Sequence, residues 1–119
     1  MTSSGSLIAP HGGSLVNRCA EDAGALASRA ADLPVITLSQ KQACDLEMIA
    51  IGAFSPLTGF VGQKDFESIC SKMRLGDGTV WPIPITLAVD EATKASLSVG
   101  APAALMHPDG TLLAVIDVQ

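Results

Sequence analysis

The order of hydrophobic patterns along the chain predicts an α+β fold. Helical spacing dominates the first half. Ala43, Leu46, Ile49 and Ala50 recur on one side, and Phe66, Ile69, Cys70 and Met73 recur at i, i+3, i+4 and i+7. Extended, turn-bounded patterns dominate the second half, ending in two apolar runs around His107-Pro108-Asp109-Gly110. Segregated helices and strands point to α+β rather than to a doubly wound sheet, which would alternate them.

Taken in order, Met1 to Ser6 is polar and reads as a disordered tail, and 7–119 as one domain. Leu7-Ile8-Ala9-Pro10 is an extended entry to a tight loop at His11-Gly12-Gly13, and 14–18 resumes an extended or turn-like path. An Ala-rich helix is predicted over 21–31, weakened by Gly24 by about 1 kcal/mol relative to Ala and ended by Pro34. Val35 to Leu38 is a β-branched strand. Ser39 with Gln42 three residues on forms a capping box for a helix over about 40–51, and Gly52 closes it. A second strongly patterned helix is expected over 63–73, with one face buried, and Asp77-Gly78 marks a turn.

Trp81-Pro82-Ile83-Pro84-Ile85 must be extended, because both prolines lack an N–H and both disfavour helix at the residue before them. The expectation is an edge or lining strand that continues through Val89. Asp90 is an N-cap for a short helix over 91–97, with Gly100 beyond its end. Ala103–Met106 and Thr111–Val118 form a hairpin around a type I turn, with Pro at its second position and Gly at its fourth. The last strand stops one residue before Gln119, a pattern expected of a domain truncated at its C-terminal end.

The segment Ile51 to Val61 is the least ordinary. It follows a helix, yet it is apolar, carrying Phe54, Leu57 and Phe60 among two glycines and Pro56. Surface loops are commonly polar, so this one is expected to pack and to anchor the helical half to the strands. Gly52 and Gly59 would permit its turns. Truncating Phe54 or Phe60 to Ala would cost about 3–5 kcal/mol if the ring were fully buried.

Nearly half the residues are apolar (48%) and the mean hydropathy is positive, so a packed core is expected. The formal charge is -5 and the seven basic residues form no run, which disfavours nucleic acid and an anionic membrane face. No apolar stretch approaches the ~20 residues a membrane span needs, and no signal peptide is evident. Cys19, Cys44 and Cys70 are odd in number and widely spaced, which reads as reduced, mostly buried residues of a cytosolic protein.

The residues carry no convincing active site. His11-Gly12-Gly13 could face an anion through its backbone, but it neither follows a clear strand nor opens a clear helix. It reads as a tight turn with His11 hydrogen-bonded locally. His107 reads as a solvated turn residue, and Asp109 as the side chain that shapes the turn. Gly76-Asp77-Gly78 is a turn rather than a nucleotide loop. Glu21-Asp22 and Asp90-Glu91 sit where helix dipoles favour acids, and Trp81 reads as a core anchor. Two distant histidines give no zinc-hydrolase spacing, and no Walker loop or nucleophile elbow is present. No catalytic, cofactor-binding or metal-ligating residue is assigned.

Several segments together resemble the N-terminal domain of ATP sulfurylase, that is, sulfate adenylyltransferase. They are Ile8-Ala9-Pro10-His11-Gly12-Gly13-Ser14-Leu15-Val16-Asn17-Arg18, Gly52-Ala53-Phe54-Ser55-Pro56-Leu57-Thr58-Gly59-Phe60, and Met73 to Ile85, in that order, with the closing 100–118 hairpin after them. The resemblance implies a PUA-like domain, a mixed β-barrel with flanking helices, preceding a larger nucleotide-binding domain. That enzyme couples ATP and sulfate into adenosine 5′-phosphosulfate and pyrophosphate, normally with magnesium. The family's reactive Gln-x-Arg-Asn-Pro-x-His segment is absent from this sequence. The resemblance therefore implies a fragment or stand-alone version that is inactive alone and whose partner is the catalytic domain of the same enzyme. Two other readings are an RNA- or protein-binding PUA-like module, and a structural domain that self-associates as a homo-oligomer through an exposed apolar patch.

Overall fold

The computed structural model describes residues 7–119; the tail expected over 1–6 lies outside them. Four helices and three strands follow the order α1 (Ala23–Ala30), β1 (Val35–Thr37), α2 (Gln40–Ala50), α3 (Gln63–Lys72), α4 (Glu91–Ser96), β2 (Pro102–Met106) and β3 (Leu112–Asp117). The architecture is α+β. The sheet runs β1-β2-β3, with β1 parallel to β2 and β2 antiparallel to β3. The parallel pair is joined by the stretch that holds α2, α3 and α4, as a parallel connection requires a long crossover. The mixed character matches the expected barrel, but the three-stranded sheet is open at both edges.

Local chemistry explains the element ends. Ser39 Oγ accepts from the Gln42 amide (3.2 Å) while Gln42 Oε1 accepts from the Ser39 amide (2.8 Å), so the capping box at α2 is complete. Gly52 follows with φ +85°, a conformation that favours glycine. Asp22 and Asp90 cap α1 and α4 through their side chains. The hairpin turn closes as Gly110 N–H donates to the His107 carbonyl at 2.9 Å.

Two buried clusters form the core. Ile36, Leu38, Ala43, Ala103 and Leu105 pack between the sheet and the start of α2. Ile49, Leu57, Ile69, Leu75 and Ile85 pack where the end of α2 meets α3 and the loops. The half-buried Phe60 touches both clusters. The apolar segment is thus an internal brace, although Phe54 and Phe60 are only half-buried and Leu57 is its buried anchor. Truncating either ring therefore falls below the 3–5 kcal/mol expected of a fully buried one.

Four expectations change. Trp81–Val89 joins no strand of the sheet; with Pro82 and Pro84 unable to donate, its hydrogen bonds to the rest of the chain include Trp81 N–H to the Met73 carbonyl, Val61 N–H to the Ile85 carbonyl and Gln42 Nε2 to the Ala88 carbonyl. The α3 face is buried only at Ile69, with Phe66, Cys70 and Met73 exposed. All three cysteines are exposed rather than buried. Gly59 does not have positive φ, so only Gly52 supplies a left-handed turn in that segment.

Candidate functional site

The N-terminal motif and the apolar loop are one structural unit. Gly13 N–H donates to the Pro10 carbonyl (2.9 Å), closing a turn with Gly12 at φ +79°. A Cβ on Gly12 would lie 2.7 Å from Pro56 Cβ, so this glycine allows the turn to rest on the loop. Beyond the turn, Leu15 and Val16 cross Gly52 so closely that a Cβ there would sit 2.7 Å from Leu15 Cδ1 and 2.9 Å from the Val16 carbonyl oxygen. Buried Ser55 sews the two together: its hydroxyl donates to the Gly52 carbonyl (2.6 Å) and accepts from the Val16 amide (2.9 Å). The Arg18 amide adds a bond to the Ala50 carbonyl at 2.9 Å.

His11 belongs to this unit, and its bond is not local. Its Nε2 donates to the Val80 carbonyl at 2.6 Å, and its ring lies tilted against Trp81 at 6.0 Å. Trp81 in turn meets Phe54 edge-on at 5.9 Å. Phe54 and Trp81, with Pro82, Ile83 and Ile85, frame a shallow apolar hollow of about 200 Å³. Trp81 Nε1 is buried without a partner. With Nε2 committed to a carbonyl, His11 is a clasp between chain segments.

His107 is half-buried and its Nε2 lies 3.2 Å from Gln40 Oε1, tying the hairpin to the start of α2. Asp109 shapes the turn as expected, accepting from the Thr111 amide at 2.8 Å. The three aspartates with displaced acidity share one pattern. Asp77, Asp90 and Asp109 are held below the usual carboxylate value by hydrogen bonds from Thr79, Thr93 and Thr111. A general acid working near neutral pH needs the opposite shift. These are staples of turns and caps. The two histidines stand in separate units, and the sequence contains no others.

Among the described residues, no group of three or more His, Cys, Asp or Glu side chains is placed to hold a metal ion. Nor is any described helix long and apolar enough to cross a membrane. Arg74 is spent on the Gly78 carbonyl and Lys41 on Asp45, and all seven basic residues are exposed, with two of them, Arg18 and Lys94, lining an open groove beside β3. The groove measures about 1510 Å³ and is lined in part by Leu26 of α1, Leu46 of α2 and the turn at Gly59. Sequence reading passed over Ser55 and the groove. A serine inside an apolar run was the available signal for the first, and the charge-free run Leu112 to Ile116 for the second.

The whole described domain has known relatives. A "Probable bifunctional SAT/APS kinase 2" of Sorangium cellulosum is 54% identical over 115 residues, 95% of this chain and 20% of that protein. A sulfate adenylyltransferase of Synechococcus is 46% identical, covering 99% of this chain and 30% of the relative. Among solved structures, the "Hexameric APS kinase from Thiobacillus denitrificans" superposes with a TM-score of 0.82 at 42% identity, over 92% of this chain and 22% of that one. The chain thus spans between a fifth and a third of the length of these relatives. The model of the PUA-like domain family matches residues 8–119, and the chain belongs to that family.

Proposed function

We propose that this chain is the non-catalytic N-terminal domain of a sulfate adenylyltransferase and does no adenylyl transfer alone. The observation that carries the reading is the near-complete match of this chain to under a third of such an enzyme. The site geometry supports it. Transfer of an adenylyl group to sulfate needs cations and donors gathered around several developing negative oxygens. Here the basic residues are dispersed, and both histidines hold structural positions.

On this reading the partner is the catalytic part of the same enzyme. ATP and magnesium bind there rather than here, and the setting is the cytoplasm. The domain contributes a stiff platform whose clasp of His11, Ser55 and Trp81 fixes the entering chain. Purified chain is expected to release no pyrophosphate from ATP and sulfate, and release by the chain alone would refute the proposal. A chimera in which this chain replaces the matched part of the Synechococcus enzyme is expected to be active. A folded but inactive chimera would count against the assignment.

A further inference from the structure

Two turns of the chain are built alike. Leu75-Gly76-Asp77-Gly78-Thr79 and His107-Pro108-Asp109-Gly110-Thr111 share the ending Asp-Gly-Thr. In each, the first residue donates its amide to the threonine carbonyl, at 2.8 Å from Leu75 and 2.9 Å from His107. The second glycine of the first turn and the only glycine of the other, Gly78 and Gly110, return their amides to that first residue's carbonyl at 2.9 Å. Each aspartate accepts from the threonine amide, at 2.9 Å for Asp77 and 2.8 Å for Asp109. Hydrogen bonds from Thr79 and Thr111 hold both carboxyls below their usual value.

An Asp-Gly step is open to isomerisation because glycine has no side chain to shield its amide nitrogen. That nitrogen attacks the aspartate carboxyl carbon. An N–C bond forms, and one carboxyl oxygen leaves as water with the carboxyl proton and the amide proton. Water then adds to the main-chain carbonyl carbon of the resulting succinimide, and the bond from that carbon to nitrogen breaks. The chain now runs through the former side chain as isoaspartate, with nothing oxidised or reduced. A closed turn blocks the first step, since a carbonyl holds the glycine N–H and threonine holds the carboxylate. Reaction waits for local opening.

The two turns differ in what keeps them closed. Around Asp109, Pro108 fixes its own φ. The His107 ring accepts from the Asp109 amide at 3.2 Å and reaches Gln40. Beyond the turn runs the β2–β3 ladder, over fully buried Ala103, Ala104 and Leu105. Around Asp77, the place of the proline is taken by Gly76, which leaves the open chain more backbone freedom. Pairing beyond this turn shrinks to one bridge, Arg74 to Val80, and to Trp81 N–H on the Met73 carbonyl. Its other ties are exposed side-chain bonds, from the Gly76 amide to Asp65 at 2.7 Å and from Arg74 to the Gly78 carbonyl at 2.9 Å.

We propose that Asp77-Gly78 is a site of spontaneous isoaspartate formation and that Asp109-Gly110 is its protected counterpart. The inference goes beyond the functional reading and does not depend on it. Isoaspartate inserts one extra carbon into the loop between Leu75 and Thr79 and takes away the side-chain carboxyl that holds the Thr79 amide. The damage is delivered to Leu75, a member of the second core cluster.

Incubation of the 119-residue chain in heavy-oxygen water at neutral pH, followed by tryptic digestion, tests this. Each isomerisation leaves one heavy oxygen, and the cut after Lys94 puts the two turns in separate peptides. Label is expected to enter the Asp77 peptide about fivefold faster than the Asp109 peptide. Pro108→Gly is expected to bring the two rates within about twofold of each other. Asp65→Ala is expected to speed labelling at Asp77 alone. Asp77→Glu, which would have to close a larger ring, is expected to abolish labelling of its peptide and so to separate Asp77 from Asp90. In urea, where both turns are lost, the two rates of the parent chain are expected to converge. Equal rates in the folded chain, faster entry at Asp109, or a ratio that persists in urea would each overturn the proposal. So would a ratio unchanged by Pro108→Gly, or label that survives Asp77→Glu.

Discussion

The two halves of the core are held by different means. Around Leu38 and Leu105, a hydrogen-bonded sheet sets the spacing and α2 lies across it. Around Ile49 and Ile69 there is no ladder; α3, the apolar loop and the Trp81–Ile85 segment meet through side chains, single hydrogen bonds and two glycine-sized gaps. One helix serves both, through Ala43 at its start and Ile49 at its end. A periodic element tolerates small errors of shape because its backbone repeats the same bond. The second half has no repeat to fall back on, so it relies on individual fits.

The largest expected effects come from emptying each cluster. Leu38 and Ile69 are both 1% exposed, and Leu38→Ala and Ile69→Ala should each cost about 2–5 kcal/mol in denaturant unfolding. The clusters share no buried member, so the double variant should be additive within about 0.5 kcal/mol. Phe60→Ala should be non-additive with either, because that ring touches both clusters. Additivity with Phe60→Ala would show that the brace does not couple them.

Next in size come the fits that only the second half uses. Gly52 and Gly78 both have positive φ, +85° and +94°, but a Cβ on Gly78 meets nothing within 4 Å. Gly78→Ala should therefore cost only the backbone penalty, about 1–2 kcal/mol. Gly52→Ala should cost clearly more, since Leu15 and the Val16 carbonyl must also move. Equal losses by thermal or chemical unfolding would refute the close crossing at Gly52. Ser55→Ala leaves the part-buried Val16 N–H without its partner, while the Gly52 carbonyl keeps the residue 55 amide as a donor, and should cost about 1–3 kcal/mol.

This difference also explains what could be read from the sequence. All three strands and all four helices follow from period, propensity, caps and turn residues, because those signals act within a few positions. The α3 face was misjudged since spacing reports which residues share a side, not whether anything covers it. The two prolines that exclude a helix over Trp81–Val89 also remove two of the donors a ladder strand needs, and the segment stays outside the sheet. His11 is the sharpest case: its partner is Val80, a separation of 69 residues that no local rule reaches. The family resemblance found the pieces of the clasp without revealing that they touch.

Smaller effects belong to the periodic half. Ser39→Ala removes half of the capping box and should cost about 1 kcal/mol. Because the Gln42 side chain still accepts from the residue 39 amide, retention of part of the cap is expected, and Gln42→Ala on top of it should cost further stability.

The smallest effect is also the most specific to the hairpin. Asp109 is held below its ordinary 3.8 first by the Thr111 hydroxyl, then by the Thr111 amide, with a smaller electrostatic contribution from His107. A carboxyl depressed in the folded state stabilises it fully above the unfolded value, and that support is lost as pH falls through the folded value. The hairpin should accordingly be insensitive to Asp109 across neutral pH and loosen only in acid below 3.8. Thr111→Val keeps the amide and deletes the hydroxyl, so the Asp109 carboxyl followed by NMR should titrate closer to 3.8 than in the parent chain. His107→Asn should move it less, because its contribution ranks lower. The reverse order would mean that the imidazole, rather than the threonine, holds this turn, and that the sheet half too depends on a long-range clasp, from His107 to Gln40.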